Sequence, residues 1–243
     1  MHLAMVEYII HADDFGKDDG VNHAIDLVIS RGLCDETSLI VNMPCSDAAV
    51  QLARTGDYAD RVGIHVNLTE GFPLTQKIRS CPRFCGNDGS FNRVFHLSSR
   101  TRFFLNRTEQ TAVSEELAAQ LDRFVAYGGL RMRIDSHHHV HTDWSIYQLL
   151  KPLAIERGFK EMRLSADMHH VRFDKAVYKM FFNHDVRRHF MTTDHFAGGR
   201  FTYKSEMAGR IEVMVHPLMA DGILCDSATP YEESVSWCRK EKK

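Results

Sequence analysis

Short apolar runs alternate with helical patterns along most of this chain, and no other feature constrains its fold as strongly. Residues 6–12 read as a strand, and residues 20–30 carry apolar side chains at helical spacing before Gly32. Residues 37–43 and 62–68 read as the next two strands, with a helix over 47–54 between them, capped by Ser46 and stopped by Gly56. Beyond them, 108–127 reads as an amphipathic helix stopped by Gly128-Gly129, then 131–139 as a strand and 145–157 as a helix. The pattern continues with a strand at 161–166, a helix at 175–189, and strands at 192–196 and 210–215. Such alternation implies an α/β fold: a parallel sheet with helices outside it, either closed as a barrel or open.

The rhythm breaks at 70–107. Pro73, Pro82, Gly86, Gly89 and several aromatics there read as a long excursion over one end of the fold, where functional loops tend to sit. Of its aromatics, Phe72, Phe84, Phe91 and Phe95 either offer faces to the rings of a ligand or pack over that end of the fold. No repeat, low-complexity tract or linker divides the chain, so 1–243 reads as a single domain.

The formal net charge of −2 argues against a large electrostatic footprint for nucleic acid. No apolar run approaches the roughly 20 residues of a membrane span, and the N-terminus lacks the order of a signal peptide. The expectation is a cytoplasmic protein without membrane or nucleic-acid partners; a homodimer stays open on general grounds. The six cysteines then read as free or buried thiols, with a regulatory or metal role for Cys81 and Cys85 as the lesser alternative. The outlying number is 15 histidines, a residue whose special uses are metal ligation and proton transfer.

Four clusters could carry chemistry, each at the C-terminal end of an expected strand, where parallel α/β folds gather their active sites. The first is His11-Ala12-Asp13-Asp14-Phe15-Gly16. A buried pair of adjacent carboxylates needs a cation or a shared proton; the bland alternative is a turn with Asp14 capping the next helix. The second, 63–69, places His65 in an apolar strand, as a core residue or a ligand, with Asn67 beyond it.

The third, Asp135-Ser136-His137-His138-His139-Val140-His141, is the strongest. An extended strand puts Arg133, Asp135, His137 and His139 on one face. A helix would stack His137 and His141, but the zinc-protease helix motif needs Glu where this chain has His138. In the fourth, 212–217, alternation puts Glu212, Met214 and His216 on one face, with His216 an acid, a base or a structural loop residue. Arg163 and the segment 193–196 are weaker candidates of the same kind. One carboxylate and two histidines make a three-point site for Zn²⁺, Mn²⁺, Fe²⁺ or Co²⁺, with Mg²⁺ less usual on imidazole.

Taken together, ADDFG at 12–16, GIHVNLT at 63–69, DSHHHVH at 135–141 and E-x-M-x-H-P at 212–217 resemble the YdjC-like carbohydrate deacetylases, which include chitooligosaccharide deacetylases. The resemblance runs from about residue 6 to about residue 217 in matching order and spacing. It implies a distorted, TIM-like (β/α) barrel related to NodB-type polysaccharide deacetylases. It also implies hydrolysis of an N-acetyl group on a small carbohydrate, an amino sugar or short oligosaccharide.

By family position, Asp14, His65 and His137 would hold a divalent metal ion, with Zn or Mg first and Mn or Co next. Asp13 would be the base and His216 the candidate acid. Asn67, Asp135, His139, His141, Arg163 and Glu212 would stand behind the ligands or contact substrate. Two departures stand out: His11 replaces the family's common Asn, which could alter a hydrogen bond to Asp13 or the substrate, and a short tail follows Tyr231 where a longer helix is usual. The rival readings are another metal-dependent barrel hydrolase or sugar isomerase, and a sugar- or metal-binding protein without catalysis.

Overall fold

Seven strands pair side by side, each neighbour parallel to the next, and the strands alternate with helices along the chain. The computed structural model describes residues 6–167, 173–197, 208–226, 229–231 and 233–235. The opening elements are β1 (Val6–Phe15), α1 (Asp19–Ser30), β2 (Glu36–Leu39), α2 (Ser46–Thr55) and β3 (Val62–Val66). The excursion carries three short helices: α3 (Gln76–Arg79), α4 (Val94–Leu97) and α5 (Ser99–Phe103). There follow α6 (Arg107–Tyr127), β4 (Arg133–Ser136), α7 (Trp144–Glu156), β5 (Glu161–Met162), α8 (Phe173–His189), β6 (His195–Ala197) and β7 (Gly209–Val215). A small antiparallel sheet closes the described chain: β8 (Pro217–Ala220), β9 (Ile223–Asp226) and β10 (Thr229–Pro230).

The large sheet runs β5-β4-β3-β2-β1-β7-β6. Its ends meet: Glu161 bridges Met191 in parallel, and Asp167 N donates to Phe196 O at 3.3 Å. The sheet is therefore curled into the expected distorted barrel. β1, buried from Tyr8 onward, lies at its centre between β2 and β7. Tyr8, Ile10, Ala12, Val62, Ile64, Val66, Ile134, Ile211 and Val213 fill the core, with near-continuous apolar burial typical of parallel strands.

Local signals end the helices. Asp18, rather than Asp14, caps α1 by accepting from Val21 N at 2.8 Å. Asn106 and Glu109 form a reciprocal capping box at the start of α6. The buried face of α6 combines Ala112, Val113, Leu117, Leu121 and Phe124 with three buried polar residues, Glu109, Glu116 and Gln120. Glu116 accepts from Leu74 N (3.0 Å), Thr75 N (2.8 Å) and Thr75 Oγ1 (2.8 Å). Gln120 pairs with both backbone groups of Asn67, at 3.0 and 2.7 Å. These bonds pin the start of the excursion to the barrel wall.

Several expected boundaries move. The strand expected over 131–139 stops at Ser136, because His138 (φ 51°) and His139 (φ 57°) take left-handed backbone. The strand expected over 161–166 pairs only at Glu161–Met162. In the excursion Phe84, Phe91 and Phe95 are buried, so they pack the barrel end, whereas Phe72 is exposed. Cys81 and Cys85 are both buried free thiols, and the possible metal-holding groups among the described residues contain no cysteine. The end of the tail after Tyr231 (236–243) lies outside the described residues. No helix among the described residues is long and apolar enough to cross a membrane.

Candidate metal centre and active site

Adjacent residues of a flat strand point to opposite faces, yet Asp13 and Asp14 both reach the site. The register between β1 and β2 shifts between Ala12 and Phe15, and Asp14 takes φ 74°. A bulge of this kind re-aims a side chain at a barrel rim. Gly16 then turns the chain at φ 91°, packed so closely that a Cβ would lie 2.9 Å from Leu39 Cδ1 and 3.0 Å from Ile40 O.

Asp14 is the point of convergence. Its Oδ1 lies 2.7 Å from His137 Nδ1 and 3.3 Å from His65 Nε2. Single ligand atoms from Asp14, His65 and His137 all fall within 4.8 Å of one another. One carboxylate and two imidazoles at the C-terminal ends of β1, β3 and β4 fit a divalent transition ion. Burial pushes the Asp14 carboxyl up, but its bonds to the two imidazoles outweigh this and hold it far below the usual range. Burial likewise disfavours a charged His65, but the carboxylates of Asp13 and Asp135 raise its pKa to about 10. The same negative field favours a cation between these groups.

Two other acid-histidine groups lie close by, His11 with Asp135 and Glu212, and Asp13 with His65 and Asp135. In both, guanidinium groups already pair with the carboxylates. Arg133 Nη2 donates to Glu212 at 2.6 Å, and Arg163 donates to Glu212 at 2.6 Å and lies 3.0 Å from Asp135. Arg163 also grips both oxygens of Asp13, at 2.8 and 2.7 Å. Burial raises the Asp13 carboxyl, but the Arg163 guanidinium and the charge of His65 together more than offset this and bring it down to about 2. Buried charges of both signs thus satisfy one another next to Asp14, His65 and His137.

A family model described as YdjC-like protein matches residues 7–240. The chain belongs to the YdjC-like family. Among relatives, a protein named carbohydrate deacetylase from Halalkalibacterium halodurans is 28% identical, over 90% of this chain and 88% of its own. Another of that name from Vibrio vulnificus is 30% identical over 90% of this chain and 81% of its own. A solved Enterococcus faecalis V583 protein, described as a candidate cellobiose-phosphate cleavage protein, superposes with a TM-score of 0.67 at 23% identity. That match covers 88% of this chain and 82% of the other, and it speaks for the fold alone.

Within this YdjC-like chain the expected site residues divide into groups. Asp13, Asp14, His65, Asp135, His137, Arg163 and Glu212 come together as one buried network. Asp135 stands behind His65, with Oδ1 2.7 Å from His65 Nδ1. His139 does not share a strand face with His137. It lines a cavity of about 540 Å³ with His138, Phe103, Tyr178, Lys179 and Phe196. Its Nδ1 is buried without a hydrogen-bond partner among the described residues, and burial and Arg163 lower its pKa to about 4.

His141 is fully buried. It bonds Ser136 Oγ at 2.5 Å and lies 3.2 Å from Arg163 O, tying the histidine turn to the next strand. Asn67 also serves the backbone, accepting from Thr69 N (3.0 Å) and Glu70 N (3.1 Å). His216 follows Val215, the partner of Ala12, so it sits at the same strand edge as Asp13; its backbone N donates to Asp226 Oδ1 at 2.9 Å. Its ring belongs to none of the acid-histidine groups found among the described residues.

His11, in the place of the family's Asn, stands 3.8 Å from Asp13, beyond hydrogen-bond distance. Instead it meets Ser38 Oγ (3.0 Å), Arg133 Nη1 (2.8 Å) and Asp135 Oδ2 (3.0 Å). Ser38 Oγ lies 3.0 Å from His65 Nδ1 as well, so it links His11 to His65. Sequence reasoning missed Ser38, Glu36 and Glu70. An isolated Ser or Glu on a strand or loop carries no signal of its own; only the pairing of strands brings each to a histidine.

Proposed function

We propose that this protein removes the N-acetyl group from a small carbohydrate, an amino sugar or short oligosaccharide. The reaction would depend on a divalent ion held by Asp14, His65 and His137. The observation that carries the reading is the convergence of both imidazoles on Asp14, beside a carboxylate that Arg163 keeps ionised. The names of the relatives support the reaction class.

When bound, the ion supplies a polarised acetyl carbonyl and a readily ionised water. The chain's own residues do the rest. Asp13, aimed by the Arg163 fork, accepts the proton of the attacking water. The water oxygen joins the acetyl carbon, the C–N bond breaks, and the nitrogen leaves as an amine once protonated. Asp13 returns that proton, or His216 provides it from the end of the neighbouring strand. The cavity beside His139 accommodates the sugar, with Phe103, Tyr178 and Phe196 as apolar walls and His139 Nδ1 as a polar contact.

Acetate release tests this directly. Metal-stripped protein, reloaded with Zn²⁺, Mn²⁺, Co²⁺ or Mg²⁺, is offered N-acetylglucosamine, its 6-phosphate and diacetylchitobiose. Metal-dependent acetate from any of them supports the assignment; metal-loaded protein that releases acetate from no acetylated sugar overturns it. Asp13→Asn should keep the metal and lose most turnover, whereas His137→Ala should lose both.

A further inference from the structure

We infer that Glu70 is a positioning residue for His137: it holds one nitrogen of that imidazole so that the other faces Asp14 and His65. The inference rests on the metal site proposed above. Each ligand imidazole has one nitrogen toward Asp14 and the other toward a second carboxylate. For His65 the second partner is Asp135, 2.7 Å from Nδ1. For His137 it is Glu70, whose Oε2 lies 2.8 Å from Nε2. An imidazole that ligates through one nitrogen has its tautomer and ring orientation set by the hydrogen bond at the other.

Glu70 is itself held. Its N donates to Asn67 Oδ1 at 3.1 Å and its O accepts from Asn67 Nδ2 at 2.7 Å. Asn67 is in turn clasped by Gln120 of α6. The Glu70 carboxylate also accepts from Lys17 Nζ (3.3 Å), just past β1, and from Arg93 Nη2 (3.5 Å), within the excursion. One carboxylate therefore joins the end of β1, the excursion and the histidine turn. The two supports differ in setting: the Asp135 side chain is fully buried, whereas that of Glu70 is 32% exposed and can be exchanged without opening the core.

The test titrates Zn²⁺ into the full-length, metal-stripped protein against a chromogenic chelator. It compares wild type with Glu70→Ala, Glu70→Gln, Lys17→Ala and Arg93→Ala, and takes a thermal melt of each. Loss of a carboxylate behind a ligand histidine costs roughly 10–100-fold in metal affinity, which is the expected effect of Glu70→Ala. Glu70→Gln should recover part of it, because the amide oxygen still accepts from Nε2. Lys17→Ala and Arg93→Ala leave the Glu70–His137 contact in place and should bind Zn²⁺ far closer to wild type. Wild-type affinity in Glu70→Ala overturns the inference. Equal weakening in all four variants also overturns it, since it would make Glu70 a general brace of the loop. Wild-type protein that takes up no Zn²⁺ removes the metal site itself, a failure distinct from either.

Discussion

Arg163 closes on Asp13 with two parallel hydrogen bonds, 2.8 Å to Oδ2 and 2.7 Å to Oδ1, both partners buried. A forked guanidinium fixes a carboxylate in position and plane as well as in charge. Arg163→Lys keeps the charge and loses the fork. A misplacement of about 1 Å at a reacting group costs on the order of 100-fold in rate, so kcat for acetate release should fall by about that factor. Zn²⁺ affinity should change little, because Arg163 touches none of the three ligands. Steady-state kinetics beside chelator titration separates the two; an unchanged kcat would remove Arg163 from the aiming of Asp13.

Asp135 offers a second test. Its carboxylate lies behind His65 and beside Arg163 and His11. Asp135→Asn preserves shape but removes the charge, and should weaken Zn²⁺ binding by roughly 10–100-fold. Chelator competition reads the change; metal affinity equal to wild type would mean that His65 needs no such support.

Acid stability reports on Glu36, at the other end of the barrel core. Burial pushes the Glu36 carboxyl up, but bonding to His11 and the charges of Arg133 and Arg131 bring it well below its ordinary value. A carboxyl depressed in the folded state stabilises the fold above its unfolded pKa of about 4.3. That contribution is lost as pH falls through the folded value. Glu36→Gln should therefore cost about 1.5–3 kcal/mol at pH 7, and the gap from wild type should narrow below about pH 4. Denaturant melts across that range give the answer; a gap constant with pH would assign the loss to shape instead of charge.

Gly16 gives the fourth. At φ 91°, with Leu39, Ile40 and Ser46 packed against the position of a Cβ, Gly16→Ala introduces both backbone strain and a clash. Strain at such a backbone position costs of order 1–3 kcal/mol, and a denaturation midpoint lowered accordingly is expected. An unshifted midpoint would mean that the turn after Asp14 relaxes freely.

The sequence by itself determined the βα alternation, the strand ends that bear Asp14, His65, His137 and His216, and the family. These rest on local pattern: apolar runs at strand spacing, amphipathic helices, and short motifs dense in acids and histidines. It did not determine closure of the sheet, which depends on Glu161 meeting Met191 some thirty residues on. It misplaced His139, because alternation assumes an extended chain and two left-handed residues break it after Ser136. Nor did it reveal that Asp13 answers to Arg163, or that Glu70 reaches His137: |i−j| is 150 for the first pair and 67 for the second. Side chains that far apart meet only when the strands and the loop after β3 pack together, so the acid and histidine types were legible locally, and the charges that aim them were set by the barrel.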